Sequence, residues 1–566
     1  MDKQANEAIE ARNWLSNGDL LLGMVTWEAR PSEQVLLDAA GPEGGPAARL
    51  ERAPGPGEPV VWRQAVTGLP PRRQVRLTAQ VRVAKGEAKL WIRCCRADGT
   101  EIDGHHTEPW FAPRAWATNT WQTLSCAFPL PAETCCVEVG GSIAHEGLAW
   151  FTDFTLHLVP DDAPFLRAAV HETLVRNSSH PGSALRGGAL ACRRAFSCVP
   201  RHLFLPGCTL AEAYVDAPVV TRYEDQVGQR VAISSSSQPS AMAVMLDQLR
   251  LRPGMRVLEI GAGTGYNAAI MAELVGAQNV VSVDLDPDIA AEARAHLDAA
   301  GYPEVEVAAA EGWDGFPARA PYDRIIVTVG VQDLAPAWVE QLSDGGVIVL
   351  PITFRGTQFT PAFRKRGRRL VTERISGCAF MDLRGKRPRR FRHHRDDHFV
   401  IHHDSLSEAD LTALEEILAL PPEPLEGSEA ADPAAGAYGF FDFKMYLCLA
   451  HPLGMQLRAP CLTEYGIQDW TAAIADLDRR QLALVGANLC FGGAEIGLEL
   501  RRLAQQWLEM GRPDLNRLRM AAYPRAAFPN PSLLPKRGWT GFVAKEHTWF
   551  TWRFLEAGDT RVRPGA

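Results

Sequence analysis

Alternating apolar and polar positions dominate the first 160 residues of the chain. Turn-forming Gly and Pro residues separate short segments in which apolar and aromatic residues recur at every second position. The clearest of these segments are VRLTAQVRV (75–83), AKLWIRCCR (88–96), TWQTLSCAF (120–128), CCVEVGGSI (135–143) and LAWFTDFTLHLV (148–159). This pattern predicts a β-sandwich domain over residues 1–160. The Gly/Pro-rich segment 41–59 is expected to form a loop.

From about residue 161 to 385 the period changes, and strand patterns alternate with helix patterns. The predicted strands are RVLEI (256–260), VVSVDL (280–285), VEVAAAEG (305–312), DRIIVTVG (323–330) and VIVLPI (347–352). The predicted helices are YNAAIMAELVG (266–276), PDIAAEARAHLDAAG (287–301) and APAWVEQLSDGG (335–346). Such alternation is typical of a doubly wound α/β domain with a mainly parallel sheet.

Residues 386–566 mix both periods and predict an α+β extension. Ser407 and Asp410 have the spacing of a capping box at a helix start, and GGAEIGLELRRLAQQWLEMG (492–511) is amphipathic. HTWFTWRFL (547–555) is expected to be a strand, and the Pro-rich segment 421–437 a loop or connector.

Composition limits the classes of protein to consider. The chain has 566 residues, 46% hydrophobic and 22% charged, which suits a soluble globular protein of three or four domains. Its net charge of −8 gives no general attraction to nucleic acid. The first residues lack the apolar segment of a signal peptide, and no apolar run approaches the roughly 18 residues of a membrane helix. We therefore expect a cytoplasmic protein without membrane or nucleic-acid partners.

The twelve cysteines do not suggest a metal site. None of them forms a C-x-x-C pair, which disfavours a zinc ribbon. A disulfide scaffold does not suit a chain of this length, so we expect reduced thiols.

A candidate cofactor site begins at LEIGAGTGY (258–266), where glycines follow a predicted strand and open a predicted helix. Tyr266 stands where a dinucleotide fingerprint has its third glycine, which disfavours NAD. Acids end the first three strands, and they could bind the ribose hydroxyls and adenine amino group of S-adenosylmethionine. The predicted cofactor-binding residues are Glu259, Gly261, Ala262, Gly263, Gly265, Tyr266, Asp284, Leu285, Glu311 and Gly312. The alternative is a tight strand–helix turn that binds nothing.

Five segments in order resemble protein-L-isoaspartate O-methyltransferases. They are RHLFLPGCTLAEAYVDAPV (201–219), ISSSSQPSAMAVML (233–246), RVLEIGAGTGYNAAIMAEL (256–274), EGWDGFPARAPYDRIIVTVG (311–330) and QLSDGGVIVLPI (341–352). The resemblance covers about 165–352. It implies a Rossmann-like S-adenosylmethionine methyltransferase fold and a carboxyl O-methylation of aspartyl or isoaspartyl residues. Pro200, Arg201 and Phe204 match the family's PRxxF-type segment, and Ala213, Tyr214 and Asp216 match its AYxD.

The serine run bears on substrate binding. By resemblance, Ser237 corresponds to the family's substrate-loop serine, whereas Ser235 and Ser236 replace the usual Thr and Ile. Since an acceptor carboxylate is already ionised at neutral pH, hydroxyl groups can hold it without a general base. We therefore predict that Ser235, Ser236 and Ser237 form the catalytic loop before a helix N-terminus. The alternative is a flexible linker or hinge.

Two further departures leave the substrate open. Ala310–Glu311–Gly312 replaces the family's GDG, and VTVG (327–330) replaces VTAA. Downstream, VIVLPITFRGTQFTPAFRKRG (347–367) and ISGCAFMDLRG (375–385) are similar to actinobacterial members that accompany ribosomal peptide (lanthipeptide) maturation. That similarity implies methylation of an aspartate in a modified peptide, followed by closure to aspartimide. The alternatives are general isoaspartate repair, and a non-catalytic binding protein with a decayed core.

Two weaker signals lie outside this region. The segment KRPRRFRHHRDDHFVIHH (386–403) could bind zinc or dock an acidic leader peptide, but a solvated inter-domain segment is the favoured interpretation. The N-terminal sandwich resembles carbohydrate-binding jelly rolls. Trp62, Trp110 and Trp121 could stack on a sugar, although buried sandwich tryptophans are commoner, so no ligand is assigned there.

Overall fold

The structure is a computed structural model that describes most of the chain. It describes residues 13–15, 26–31, 34–53, 59–70, 74–106, 114–117, 119–131, 133–143, 146–158, 189–226, 229–385, 392–395, 399–403, 406–424, 437–465, 471–485, 489–534 and 540–556. The chain divides into two compact units. The first comprises Met1–Val170, Pro206–Asp216 and Ala435–Ala437, and the second comprises His171–Leu205, Ala217–Ala434 and Tyr438–Ala566.

The first unit contains two antiparallel sheets around one apolar core. Its described strands are β1 (Glu28–Arg30), β2 (Val35–Asp38), β3 (Ala47–Arg52), β4 (Val60–Thr67), β5 (Gln74–Lys85), β6 (Glu87–Cys95), β7 (Glu101–His106), β8 (Arg114–Trp116), β9 (Trp121–Pro129), β10 (Cys136–Ile143) and β11 (Gly147–Leu158). One sheet has the order β1-β4-β10-β6-β7, with β8 beside β6, and the other has the order β2-β3-β11-β5-β9. Alternate side chains of both sheets fill the core, which agrees with the predicted β-sandwich.

One expectation for this unit needs correction. The segment 41–59, expected to be a loop, contains β3, because Ala47, Ala48 and Leu50 are buried and the strand pairs with both β2 and β11. Trp62 is fully buried and stacks on Trp27 with ring centroids 5.3 Å apart, which agrees with the favoured interpretation of a buried sandwich tryptophan. Trp110 lies outside the described residues, as does the predicted boundary between residues 160 and 161.

The strands of the second unit continue the numbering. They are β12 (Val219–Gln226), β13 (Gln229–Ser236), β14 (Val257–Ile260), β15 (Val280–Asp284), β16 (Glu306–Ala309), β17 (Tyr322–Val327), β18 (Leu342–Val349), β19 (Ile352–Phe354), β20 (Thr357–Arg366), β21 (Arg369–Gly377), β22 (Arg392–Arg395), β23 (Phe399–His402), β24 (Pro422–Pro424), β25 (Gly454–Arg458), β26 (Thr471–Asp476), β27 (Gln481–Leu484), β28 (Leu489–Phe491), β29 (Leu518–Pro524), β30 (Gly541–Ala544) and β31 (Thr548–Phe554).

Nine α-helices are found along the described residues of both units. They are α1 (Ala189–Cys198), α2 (Leu210–Ala213), α3 (Pro239–Leu249), α4 (Tyr266–Val275), α5 (Pro287–Ala299), α6 (Pro336–Gln341), α7 (Glu408–Leu418), α8 (Ala437–Ala450) and α9 (Glu495–Glu509). None of the helices among these residues is long and apolar enough to cross a membrane.

A mainly parallel array forms the centre of the second unit. Strands β16, β15, β14, β17 and β18 pair in that order and in parallel. All four residues of β14 are buried, as expected for a strand covered on both faces. The order reverses between β14 and β17, and in open α/β sheets ligands bind beyond the carboxyl ends of strands at such a point.

The predicted C-terminal extension is not a separate compact unit. Strands β29, β31 and β30 continue the central sheet through antiparallel pairing of β29 with β21. Strands β22 to β28 form a further sheet with the order β22-β23-β25-β26-β27-β28-β24. Described residues on both sides of 385 lie in one compact unit. The domain limits 1–160, 161–385 and 386–566 stay predictions.

Among the helices predicted for this unit, one start is confirmed and one end needs correction, whereas α1 and α8 were not predicted. Ser407 and Asp410 form the predicted capping box of α7. The helix predicted over 335–346, however, ends at Gln341, and Leu342 already starts β18. Leu342 is buried and pairs with Tyr322, so strand pairing overrides the helical period there.

Candidate active site

The turn after β14 has a backbone that only glycine accommodates easily. Gly261, Gly263 and Gly265 have φ values of 99°, 52° and 86°. A Cβ atom at Gly261 would lie 2.6 Å from Thr328 Oγ1, and one at Gly263 would lie 3.1 Å from the carbonyl oxygen of Ser235. The three glycines therefore permit a tight turn that other chain segments approach closely.

The backbone N–H groups of this turn are partly engaged. Gly261 and Ala262 both donate to the carbonyl oxygen of Val283, at 2.8 and 3.0 Å. Ala262 and Tyr266 are buried. Contacts of these residues with a ligand would therefore involve the backbone more than the side chains.

Glu259 lies beneath the turn, in the core. It is fully buried, and Asn267 Nδ2 and Ser282 Oγ donate to its two carboxylate oxygens at 2.7 and 2.6 Å. Burial raises the pKa of Glu259 to about 7, although both hydrogen bonds act in the opposite direction. We therefore expect Glu259 to position β14, α4 and β15 rather than to contact a ligand, which departs from the sequence-based expectation.

Asp284, at the end of β15, faces the glycine turn. Its Oδ2 accepts a hydrogen bond from Gly263 N at 3.0 Å, and its Oδ1 accepts one from Asp286 N at 3.3 Å. Burial raises the pKa of Asp284, while these bonds and the charge of Arg384 act to lower it. A carboxylate has about four lone-pair sites, so Asp284 retains acceptor capacity for ribose hydroxyls. Leu285, the next residue, is half-buried.

Glu311 follows β16 at the same edge of the sheet. Its side chain caps the short 3-10 helix Gly312–Asp314 by accepting a hydrogen bond from Trp313 N at 3.3 Å. A Cβ atom on Gly385 would lie 2.6 Å from the carboxylate oxygens of Glu311. The 382–385 segment therefore passes close to this carboxylate.

The serine run is mainly a strand rather than a loop. Ser235 and Ser236 end β13, where they pair with Val220 and Val219 of β12, and only Ser237 and Gln238 separate the strand from α3. Ser236 is 2% exposed, and its Oγ has no hydrogen-bond partner among the described residues. A buried hydroxyl of this kind is unusual and is consistent with a ligand that supplies the partner.

Arg201 holds the end of this strand. Its guanidinium is fully buried, and Nη2 lies within hydrogen-bond distance of the carbonyl oxygens of Ala217 (3.1 Å), Ser236 (3.4 Å) and Ser237 (3.2 Å). The same guanidinium lies 5.7 Å from the ring centroid of Tyr266. The PRxxF-type segment gave the only sequence signal for Arg201.

Comparisons with known proteins identify the family. The sequence model described as "Protein-L-isoaspartate(D-aspartate) O-methyltransferase (PCMT)" matches residues 186–388. The protein-L-isoaspartate O-methyltransferase of Methanococcoides burtonii is 39% identical over 196 residues, covering 34% of this chain and 91% of that protein. The enzyme of the same name from Methanopyrus kandleri is 38% identical over 232 residues, covering 40% of this chain and 96% of that protein.

The chain belongs to the protein-L-isoaspartate O-methyltransferase family. Members are S-adenosylmethionine-dependent carboxyl methyltransferases, so both the enzyme class and the cofactor predicted from the sequence are confirmed at the level of the family. A solved protein-L-isoaspartate O-methyltransferase aligns over 63% of this chain and 96% of its own, with 24% identity and a TM-score of 0.36.

The residues present fit the cofactor of this family. The glycine turn and the carboxylates of Asp284 and Glu311 follow three adjacent parallel strands at their carboxyl ends. The hydroxyl of Ser236 lacks a partner among the described residues, and Ser235 lies against Gly263. Carboxylates suit a ligand that carries hydroxyl and amino groups and a positive charge but no phosphate.

The weaker candidate at 386–403 gains no support as a metal site. Residues 386–391 and 396–398 lie outside the described residues. Elsewhere in the described ranges, no group of three or more His, Cys, Asp or Glu residues could hold a metal ion.

Proposed function

We propose that this family member methylates the carboxylate of an aspartyl or isoaspartyl residue in a peptide, and that its Rossmann-like core binds S-adenosylmethionine. The approach of Ser235 to Gly263 carries the proposal, because it places the serine strand against the cofactor turn. The resulting ester would close to a succinimide when the next backbone nitrogen attacks its carbonyl carbon, with loss of the N–H proton and release of methanol.

The serine strand would hold the acceptor in place. When bound, S-adenosylmethionine supplies a methyl group on positive sulfur that a carboxylate oxygen can accept, with S-adenosylhomocysteine as the leaving group. The acceptor carboxylate has an ordinary pKa near 4, so it arrives ionised and needs no base. Ser236 Oγ, with Ser235 and Ser237, would donate hydrogen bonds that orient the carboxylate and exclude water. The N-terminus of α3 adds favourable partial positive charge.

The cofactor would be held at the carboxyl edge of the sheet. Asp284 would accept hydrogen bonds from ribose hydroxyls, and Glu311 would accept one from the adenine amino group. The proposed contacts are Gly261, Ala262, Gly263, Gly265, Tyr266, Asp284, Leu285, Glu311 and Gly312, with Glu259 as a positioning residue.

Peptide maturation is our preferred role, and general repair is the alternative. The names of the relatives describe methylation of isoaspartate, the step that general repair would need, and these proteins align with 34% and 40% of this chain. Residues 1–185 and 389–566 lie outside the family match. Because the match covers 91% and 96% of those relatives' own length, the large flanking regions are additional to them and favour a dedicated substrate such as a modified precursor peptide.

The deciding experiment is intact mass spectrometry of methyl transfer by the purified full chain. The substrates are S-adenosylmethionine with matched isoaspartyl and aspartyl peptides, and any peptide encoded beside the gene. Methylation and then loss of methanol on the neighbouring peptide alone, a net loss of one water relative to the starting peptide, would support maturation, whereas methylation of the isoaspartyl peptide alone would support repair. If none of these peptides gains a methyl group while S-adenosylhomocysteine still binds, a decayed binding protein is the better explanation.

A further inference from the structure

The turn between β30 and β31, residues 545–547, lies against the loop that follows β17. His547 N donates to Asp333 Oδ2 at 2.6 Å, and Lys545 Nζ donates to the carbonyl oxygen of Thr353 at 2.8 Å. Lys545 is buried, with its ammonium 4.8 Å from the ring centroid of Phe354. The C-terminal part of the chain is therefore attached firmly to the edge of the sheet that carries the cofactor site.

Arg525 holds the same turn from another side. Its Nη1 donates to the carbonyl oxygens of Lys545 and Glu546 at 3.1 and 3.2 Å, and its backbone N–H donates to the carbonyl oxygen of His547 at 2.7 Å. Because hydrogen bonds hold the 545–547 turn on both sides, the side chains of Glu546 and His547 project from a fixed backbone. A fixed backbone is what a selective binding site requires.

A cavity of about 60 Å³ lies between this turn and the methyltransferase residues. Trp313, Asp382, Glu546 and His547 are among the residues that line it. The rings of Trp313 and His547 lie 5.7 Å apart. Its volume suits a few ordered waters or the end of one side chain, and it is too small for a nucleoside.

The cavity lies next to the proposed cofactor site. Trp313 N donates to the carboxylate of Glu311. On the other side, a Cβ atom at Gly261 would lie 3.3 Å from Val329, and the following residue, Gly330, lines the cavity. A peptide whose acceptor carboxylate reaches the serine strand would therefore have neighbouring side chains within reach of this cavity.

The charges around the cavity favour a basic group. Asp382 and Glu546 supply carboxylates, Glu546 lying 3.5 Å from His547 Nε2, and Trp313 supplies an aromatic ring. The ammonium of Lys545 is engaged by Thr353 and Phe354, and Asp333 accepts the N–H of His547. A carboxylate pair beside an aromatic ring recognises a guanidinium or ammonium group through charge-assisted hydrogen bonds and cation–π attraction.

We propose that Glu546 and His547, with Trp313 and Asp382, form a subsite for a basic side chain near the acceptor residue of the substrate peptide. The inference rests on the proposed function. It gives Glu546 and His547, which lie beyond the family match, a role in substrate selection.

Steady-state methylation kinetics of the full chain test this subsite. The substrates are peptides identical except for Arg, Gln or Glu at positions flanking the acceptor. We expect kcat/KM to be highest for the Arg peptide. Glu546→Gln and Asp382→Asn should each reduce that preference about tenfold through KM, with little change for the Gln peptide. Affinity for S-adenosylhomocysteine, measured by calorimetry, should not change.

Glu304→Gln, at an exposed turn, is the matched control and should leave the preference intact. Equal rates for the three peptides, or an equal loss for the Arg and Gln peptides in the variants, would overturn the subsite while leaving the methyltransferase assignment in place. Absence of methylation for every peptide would instead overturn the proposed function and the subsite with it.

Discussion

Arg201 Nη2 lies 3.2 Å from the carbonyl oxygen of Ser237 and so joins the end of the serine strand to a fully buried cation. The same guanidinium lies near the ring of Tyr266, the first residue of α4. The strand that would hold the acceptor and the helix that follows the cofactor turn therefore share one positioning residue. This contact couples the two halves of the proposed site.

Replacing Arg201 by lysine should impair positioning more than cofactor binding. Lysine keeps the positive charge but lacks the planar guanidinium that lies near the Tyr266 ring while its Nη2 reaches three carbonyl oxygens. For Arg201→Lys we expect kcat to fall about 10- to 100-fold and the free energy of unfolding to fall by about 1–3 kcal/mol. Affinity for S-adenosylhomocysteine should stay within a few-fold.

Arg194→Lys, at an exposed position of α1, is the control for Arg201 and should leave kinetics and stability unchanged. A loss of S-adenosylhomocysteine affinity as large as the loss of kcat would show that Arg201 supports the whole site rather than the serine strand.

Gly261→Ala should weaken cofactor binding through a specific collision. The new Cβ would lie 2.6 Å from Thr328 Oγ1, which donates hydrogen bonds to the carbonyl oxygens of Ile260 and Gly261. We expect affinity for S-adenosylhomocysteine, measured by calorimetry, to fall at least about tenfold, because the turn must shift.

Gly254→Ala is the control variant, because it introduces backbone strain without a collision. Gly254 also has a positive φ, of 82°, but a Cβ there would meet nothing within 4 Å. We expect a loss of about 1 kcal/mol in the free energy of unfolding and unchanged cofactor affinity. Equal losses of affinity in both alanine variants would contradict the collision.

The strands and helices of the parallel array could be predicted from the sequence because the features that specify them lie within each segment. The strands ending at Ile260, Asp284 and Val327 are short apolar runs, and each helix start bears a proline, a glycine or an acid that sequence reading detects. The glycines and the acids Asp284 and Glu311 were predictable for the same reason. Long-range pairing accounts for the main errors, since neither the burial of β3 nor the early start of β18 at Leu342 follows from its own residues.

The roles of individual site residues depended on contacts that spacing cannot reveal. Glu259 precedes the glycines, as a ligand could, yet its carboxylate lies in the core against Ser282 and Asn267. Likewise, His547 lies 214 residues from Asp333 in sequence. Such distant contacts need the three-dimensional arrangement of the sheet.

Ser236→Ala should change stability and activity in opposite directions. Its buried Oγ lacks a hydrogen-bond partner among the described residues, so removal relieves an unsatisfied polar group. We expect the free energy of unfolding to stay equal or to rise by up to about 1 kcal/mol, while kcat/KM for the peptide falls about 10- to 100-fold. Denaturant titration and methyl-transfer kinetics measure the two effects.

Ser234→Ala is the matched control on the same strand. Ser234 Oγ lies 3.0 Å from Thr221 Oγ1, so its removal breaks a hydrogen bond that stabilises the β12–β13 hairpin. The expected result is a loss of about 1 kcal/mol in stability with activity retained. If Ser236→Ala retained full activity, its hydroxyl would have no part in holding the acceptor.

Glu259 should make stability fall as pH rises through the neutral range. Burial raises its pKa from the ordinary 4.5 to about 7 in the folded protein, so the folded state binds the proton more tightly than the unfolded state does. The stability that this proton confers is complete below pH 4.5, declines between 4.5 and about 7, and is absent above that range. The shift corresponds to about 3 kcal/mol.

Glu259→Gln cannot titrate, so the free energy of unfolding measured at pH 5 and pH 8 should differ less in this variant than in the parent chain. Subtracting the two pH profiles isolates Glu259 from other buried acids such as Asp333, and Glu304→Gln should reproduce the parent profile. Identical profiles for the parent chain and Glu259→Gln would mean that Glu259 stays ionised in the folded state across this range.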